Sequence, residues 1–260
     1  MRLKDRVAVI TGAAQGLGLA VAKRFAAEGA AVIIADLNRA KAEAAAAALS
    51  ADGARVIAKA ADIGSPVQVE ELFGYARAQF SKLDILVNNA GGAGRTPAMN
   101  IEDVTVEAWD DVLRQNLTGT YLCSRAAVPL MKAGGYGRIV NVSSGLATGA
   151  GSLQGTGGAT LAYASAKAGI LGFTYTLAKI VARSNILVNA VVPGFMLTEP
   201  GAKVRNWFDR LSDEEQRALL SRNAMGRAGD PAELAAAILF LASEENSYVS
   251  GTSINVHGAG

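Results

Sequence analysis

The stretch Val7-Ala8-Val9-Ile10-Thr11-Gly12-Ala13-Ala14-Gln15-Gly16-Leu17-Gly18 begins as a β-branched apolar run and ends as a glycine-rich turn. A continuous apolar run reads as a strand buried on both faces, the strand type of parallel sheets. Beyond the turn, Leu17, Ala20, Val21 and Phe25 fall on one face of a helical segment, Leu17 to Glu28, and Gly29 marks its end. The glycines are spaced GxxxGxG rather than GxGxxG. They let the backbone approach a diphosphate, whose charge meets the unpaired N–H groups and positive dipole end of the following helix. Gly12, Gln15, Gly16, Leu17 and Gly18 are therefore candidate cofactor-binding residues, with a plain strand-to-helix turn as the alternative.

The same alternation runs outward along the chain. Further β-branched runs lie at Val32 to Ala35, Val56 to Ala60, Ile85 to Asn88, Ile139 to Val142, Leu187 to Val192 and Ser253 to Val256, with helical patterns between them. Asp230-Pro231-Ala232-Glu233 reads as N-cap, first-turn proline and capping-box acid, and Ser212 with Glu215 forms a second box. The alanine run Ala44 to Ala48 reads as an ordinary surface helix. Two longer alanine-rich segments, Thr105 to Met131 and Ala162 to Ala182, each read as one helix. This predicts a doubly wound, mostly parallel, three-layer α/β sheet of Rossmann type, as a single domain over residues 1–260.

Composition narrows the function. Half of the residues are hydrophobic and 18% are charged, enough apolar surface to cover both faces of a sheet. The net charge of +2 is spread along the chain, so nucleic acid is not an expected partner. No apolar stretch reaches the roughly 20 residues that span a bilayer, and the polar start Met1 to Asp5 carries no export signal, which gives a cytoplasmic expectation. Cys123 is the single cysteine and His257 the single histidine, which excludes an intrachain disulfide and leaves no basis for a histidine-based metal site or a histidine-driven triad.

Asp36 ends the second strand, where a carboxylate accepts hydrogen bonds from the adenosine ribose hydroxyls of NAD. The 2′-phosphate of NADP would meet that carboxylate as a like charge, although Arg39 lies a little further on and keeps NADP open. Asp62, with Ile63 beside it, follows the third strand and could reach the adenine edge or simply turn the chain before the helix start Ser65-Pro66. Asn89 and Gly91, after the fourth strand, suit close backbone approach to the adenosine ribose or an ordinary turn.

Together with TGAAQGLG at Thr11 to Gly18 and Asp62, the chain carries NNAG at Asn88 to Gly91, Asn116, and NVSS at Asn141 to Ser144. It also carries YxxxK at Tyr163 to Lys167 and PGxxxT at Pro193 to Thr198. In this order the pieces resemble the short-chain dehydrogenase/reductase family over essentially the whole chain. The resemblance implies a nicotinamide cofactor, an expected homotetramer with a homodimer as the alternative, and a cradle for the cofactor carboxamide and diphosphate built from Pro193, Gly194, Met196 and Thr198.

Tyr163 and Lys167 stand four residues apart on a helical segment, so their side chains share a face. A free phenol titrates near ~10, and a nearby ammonium is expected to pull it toward working pH, where it serves as general acid or base on a substrate oxygen. Ser144 would hydrogen-bond the same oxygen, with Ser143 as the less favoured candidate. The resemblance adds that Lys167 holds the nicotinamide ribose and Asn116 holds a water in a proton relay. Eighteen residues separate Ser144 from Tyr163, more than the family's usual spacing, and they include Gly149, Gly151, Gly155, Gly157 and Gly158. His257 stands where relatives more often show an acid.

Residues 195–223 are the expected substrate lid, with Trp207 and Phe208 as apolar walls or as a packed helix face. Arg95 would face an anionic group on the substrate or stand solvated in its loop. The expectation is an NAD-dependent secondary alcohol dehydrogenase or ketoreductase acting on a small molecule. The alternatives are an NADPH-dependent ketoreductase, such as a 3-oxoacyl reductase, and a non-catalytic nucleotide-binding regulator.

Overall fold

The computed structural model describes residues 1–94, 100–149 and 157–259. Its strands are β1 (Val7–Thr11), β2 (Ala31–Asp36), β3 (Val56–Ala60), β4 (Ile85–Asn88), β5 (Gly137–Val142), β6 (Ile186–Pro193) and β7 (Ser253–Val256). Its helices are α1 (Gly16–Ala27), α2 (Arg39–Ala51), α3 (Pro66–Phe80), α4 (Val106–Leu113), α5 (Gly119–Gly134), α6 (Gly157–Val181), α7 (Lys203–Phe208), α8 (Asp213–Leu220) and α9 (Pro231–Ala242). The strands form one sheet in the order β3-β2-β1-β4-β5-β6-β7, and every neighbouring pair is parallel.

The strand pleat sorts side chains between two apolar layers. Ala8, Ile10, Val32, Ile34, Val87 and Val140 pack with α1, α2 and α9. Their neighbours Val7, Val9, Ile33, Leu86 and Ile139 pack with α3, α5 and α6 on the opposite face. Because both faces are covered, the strands read as apolar runs rather than as alternating ones. Phe25 of α1 is wholly buried, worth roughly 2–3 kcal/mol of apolar transfer. Gly29, at φ +87°, ends α1 in the left-handed region as the sequence predicts. Both expected capping boxes are present, Asp230 with Glu233 on α9 and Ser212 with Glu215 on α8.

One expected element is different. The segment Thr105 to Met131 does not form one uniform helix: α4 passes into a π-turn at Arg114–Thr118 before α5 begins. Asn116 lies in that turn, and the wider turn re-aims its side chain, a frequent use of π-bulges.

The connections reverse direction between β1 and β4, and their carboxyl ends flank the crevice where open α/β sheets bind ligands. No helix among the described residues is long and apolar enough to cross a membrane.

Candidate active site

The glycine turn is clamped onto the end of β4. Thr11 Oγ1 accepts from the backbone N–H groups of Asn89 and Ala90, each at 3.0 Å. The Asn89 side-chain amide donates to the carbonyls of Thr11 at 2.9 Å and Gly12 at 3.0 Å. The approach is close enough that a Cβ on Gly12 would stand 2.8 Å from Ala90 Cα, and one on Gly18 would stand 2.3 Å from the Gly12 carbonyl oxygen. The Asn89 side chain therefore shapes the turn itself. Thr11, which sequence reasoning did not single out beyond its place in the motif, is the hub that joins the two loops.

Asp36 ends β2 beside this turn, and its carboxylate accepts from Ala14 N at 3.1 Å and Asn38 N at 3.0 Å. Leu17 packs against the core. Gln15, the α1 N-cap, makes no capping bond with its side chain, whose oxygen accepts from Lys41 Nζ at 2.8 Å. Lys41 is a cation at this edge that sequence reasoning missed. The Asp62 carboxylate accepts from Gly64 N at 2.8 Å within its own turn and forms an ion pair with Arg114 at 3.1 Å. Ile63 is buried against Gly119, where a Cβ would meet its Cδ1 at 2.5 Å.

Asn116 is fully buried and engages the loop after β4 on both sides of its amide. Its Nδ2 donates to the carbonyls of Gly92 at 2.9 Å and Val112 at 2.8 Å, and its Oδ1 accepts from Gly92 N at 3.1 Å. Its backbone carbonyl accepts from Thr120 Oγ1 at 2.9 Å. Gly91 (φ +153°) has no room for a side chain, because a Cβ would stand 2.2 Å from Asn116 Oδ1.

Three side chains converge past the end of β5. Ser144, half-buried, caps a short 3-10 turn by accepting from Leu146 N at 3.2 Å and is hydrogen-bonded to the Tyr163 hydroxyl. Lys167 is buried one turn along α6, 5.5 Å from the Tyr163 ring centroid, and donates to the Val142 carbonyl at 2.8 Å. Ser143 is turned away, donating to the Lys167 carbonyl at 2.9 Å.

Electrostatics here depart from the sequence expectation. Burial pushes the Tyr163 phenol above its ordinary value, and the Ser144 hydrogen bond offsets this only in part. Burial also brings the Lys167 ammonium down to about 8. Desolvation of both groups outweighs the attraction that was expected to acidify the phenol.

The fourth wall follows β6. Pro193 is buried and ends the strand; Gly194 N donates to the Val256 carbonyl at 3.1 Å, and a Cβ on Gly194 would stand 2.7 Å from His257 Cβ. Met196 is buried against Gly229. Thr198 is buried, and its hydroxyl has no hydrogen-bond partner among the described residues. Next to it, Glu199 Oε1 accepts from Gly16 N, the first residue of α1, at 2.8 Å. Of the two expected lid aromatics, Phe208 packs on Phe195 with centroids 5.7 Å apart and is buried, whereas Trp207 meets Phe195 edge-on and remains 48% exposed. Arg95 and Gly151 and Gly155 of the glycine-rich stretch lie outside the described residues. Among the described residues, no group of three or more His, Cys, Asp and Glu side chains could hold a metal ion.

The parts fit a dinucleotide. A glycine turn without room for side chains, the N-terminus of α1 with Glu199 on its first N–H, a buried Thr198 hydroxyl without a partner among the described residues and a carboxylate at the end of β2 lie at the carboxyl ends of the strands, with the phenol and ammonium past the end of β5.

Comparison with known proteins agrees with this geometry. A family model described as enoyl-(acyl carrier protein) reductase matches residues 12–258. The chain is 38% identical over 260 residues to the (2S)-[(R)-hydroxy(phenyl)methyl]succinyl-CoA dehydrogenase subunit BbsD of Thauera aromatica, covering 99% of this chain and 97% of that protein. It is 35% identical over 258 residues to the 3-oxoacyl-[acyl-carrier-protein] reductase FabG of Escherichia coli K12, covering 99% and 98%. The crystal structure of levodione reductase superposes with a TM-score of 0.88 at 33% identity, covering 99% of this chain and 98% of that one. With these matches over nearly its whole length, the chain belongs to the short-chain dehydrogenase/reductase family of oxidoreductases, which act on CH–OH and carbonyl groups.

Proposed function

We propose that the protein is an NAD(H)-dependent secondary alcohol dehydrogenase or ketoreductase with Tyr163 as general acid and base. The observation that carries this reading is the convergence of the Tyr163 hydroxyl, Ser144 and Lys167 at the carboxyl end of the sheet, across from the glycine turn. Bound nicotinamide supplies or accepts the hydride. Tyr163, kept neutral by burial, is in the protonated form that donates to a carbonyl oxygen. Ser144 holds that oxygen and stabilises the charge that develops on it. Lys167, which donates to the Val142 carbonyl, would hold the nicotinamide ribose and stabilise the phenolate once the cofactor is bound. The Asn116 amide is fully engaged with protein, and its carbonyl accepts from Thr120 Oγ1 and Gly119 N, so a relay water at Asn116 displaces one of these bonds.

Asp36 supports NAD. Its carboxylate, fixed by Ala14 N and Asn38 N, faces the adenosine ribose and repels a 2′-phosphate. One observation favours the second reading, an NADPH-dependent reductase: Lys41 reaches Gln15 at 2.8 Å and places a cation at the same edge. A homotetramer is supported by the apolar side chains that α5 and α6 leave exposed, among them Tyr121, Leu161 and Ile180. The remaining cradle residues, Asp62, Ile63, Asn89, Gly91, Pro193, Gly194, Met196 and Thr198, are assigned to the cofactor on the same reading.

An absorbance assay with NADH and NADPH against ketones, steroids and 3-oxoacyl thioesters tests both readings. Turnover with NADH that Tyr163→Phe lowers by about 10²–10⁴-fold is expected. Preference for NADPH overturns the cofactor assignment, and full activity of Tyr163→Phe overturns the catalytic one.

A further inference from the structure

Helix α1 has no acid in its first turn, and its N-cap, Gln15, gives no side-chain cap. Its free N–H at Gly16 is satisfied instead by a carboxylate from 183 positions away, Glu199 Oε1 at 2.8 Å. The neighbouring Thr198 hydroxyl is buried and unpartnered among the described residues. An acid and an orphaned donor thus meet at the spot where the family fold seats a diphosphate. The carboxylate is chemically a stand-in for a phosphate oxygen, since both are anions accepting from a backbone N–H at a helix N-terminus.

We infer that Glu199 is an internal competitor for the cofactor diphosphate and sets dinucleotide affinity, an inference that rests on the cofactor reading above. The diphosphate and the carboxylate cannot share Gly16 N without placing like charges in contact, so binding expels Glu199. Space for the expelled side chain is at hand. A cavity of about 510 Å³ beside Gly16 is lined by Glu199 together with Lys23, Arg24, Arg205 and Asp230; Arg24 is paired with Glu28 and Arg205 with Asp209. Gly201 (φ +88°), two residues on, frees the backbone to follow. Each turnover then exchanges one anion for another at Gly16 N, which weakens the cofactor but hastens its release.

The test is calorimetric titration of the full chain and of the Glu199→Gln and Glu199→Ala variants with NADH, ADP and adenosine. A helix-terminus charge pairing is worth about two- to fivefold in affinity, so NADH and ADP are expected to bind Glu199→Ala tighter by about that factor. Glu199→Gln, which keeps an acceptor but loses the charge, falls between. Adenosine, which has no phosphate, is expected to bind all three alike. Equal or weaker binding of NADH and ADP by Glu199→Ala overturns the inference, and so does a gain that extends to adenosine, which would report general loosening. If the unaltered chain binds no dinucleotide, the cofactor reading itself falls, and the inference with it.

Discussion

The Lys167 ammonium lies 5.5 Å from the centroid of the Tyr163 ring, and both groups are desolvated enough that each is displaced toward its neutral form. The displacement reaches into stability. Lys167 falls from an ordinary 10.5 to about 8 on folding, so between those values the unfolded chain holds a proton that the folded chain has released. Stability therefore rises with pH through that window, and the penalty is present in full below about 8. Tyr163 acts in the opposite sense at higher pH: its raised value keeps it protonated when the unfolded phenol ionises, so its contribution makes stability fall above about 10. Thermal unfolding from pH 7 to 11 is expected to show Tm rising between about 8 and 10 in the unaltered chain. Lys167→Met is expected to lose that rise; an unchanged slope in the variant would refute the assignment.

The glycine turn gives a paired expectation. An alanine at Gly18 would set its Cβ 2.3 Å from the Gly12 carbonyl oxygen and 2.6 Å from Asn89 Nδ2, neither of which moves without opening the turn. Gly18→Ala is expected to cost about 2–3 kcal/mol by overpacking and to weaken NADH at least tenfold in calorimetry. Gly74, in the middle of α3, has nothing within 4 Å of an added Cβ. Gly74→Ala is expected to gain about 0.5–1 kcal/mol from helix propensity and to leave NADH affinity unchanged.

Why the first of these sites was legible in the sequence, and other features were not, follows from range. The seven apolar runs could be read because a sheet covered on both faces forces its strands to be apolar throughout. The turn could be read because a tight turn at φ +63° on both Gly12 and Gly16 demands glycine locally. The π-turn around Asn116 could not, because nothing in Arg114–Thr118 distinguishes a π-turn from a turn of α-helix locally. Only the lack of space at Gly91, 25 positions earlier in the chain, shows what it is for. Lys41 on Gln15 and Glu199 on Gly16 are tertiary meetings with no local signature. The sign of the Tyr163 displacement is not legible in the sequence for a related reason: helical spacing shows that the ammonium is near, but not how much water both groups have lost.

Cys123, wholly buried in α5 against β4 and β5, has its thiol pushed up to about 12 by burial. The thiolate is the reactive form, so the folded chain is expected to be inert to thiol reagents at pH 8. Ellman's reagent should release less than about a tenth of a thiol equivalent over an hour from the folded chain and close to one in denaturant. Rapid labelling of the folded chain would show that α5 opens locally.

At the opposite end of the sheet from the site, Asp84 organises the N-terminal edges of the central strands. Its buried carboxylate accepts from Arg6 at 2.9 Å and from Val7 N at 2.8 Å, and forms an ion pair with Lys82 at 3.0 Å. Arg6, paired also with Glu244, stacks on the Tyr136 ring at 3.7 Å, and Arg138 lies 4.2 Å from the same centroid. Removing the carboxylate strands a backbone donor and leaves Arg6 and Lys82 without their shared anion. Asp84→Ala is therefore expected to cost about 3 kcal/mol in denaturant unfolding. Asp84→Asn, which still accepts from Val7 N, should cost about half as much. Since this end of the sheet touches neither the glycine turn nor Tyr163, kcat per folded molecule should be unchanged in both variants. A fall in kcat without a fall in stability would mean that the two ends of the sheet are coupled.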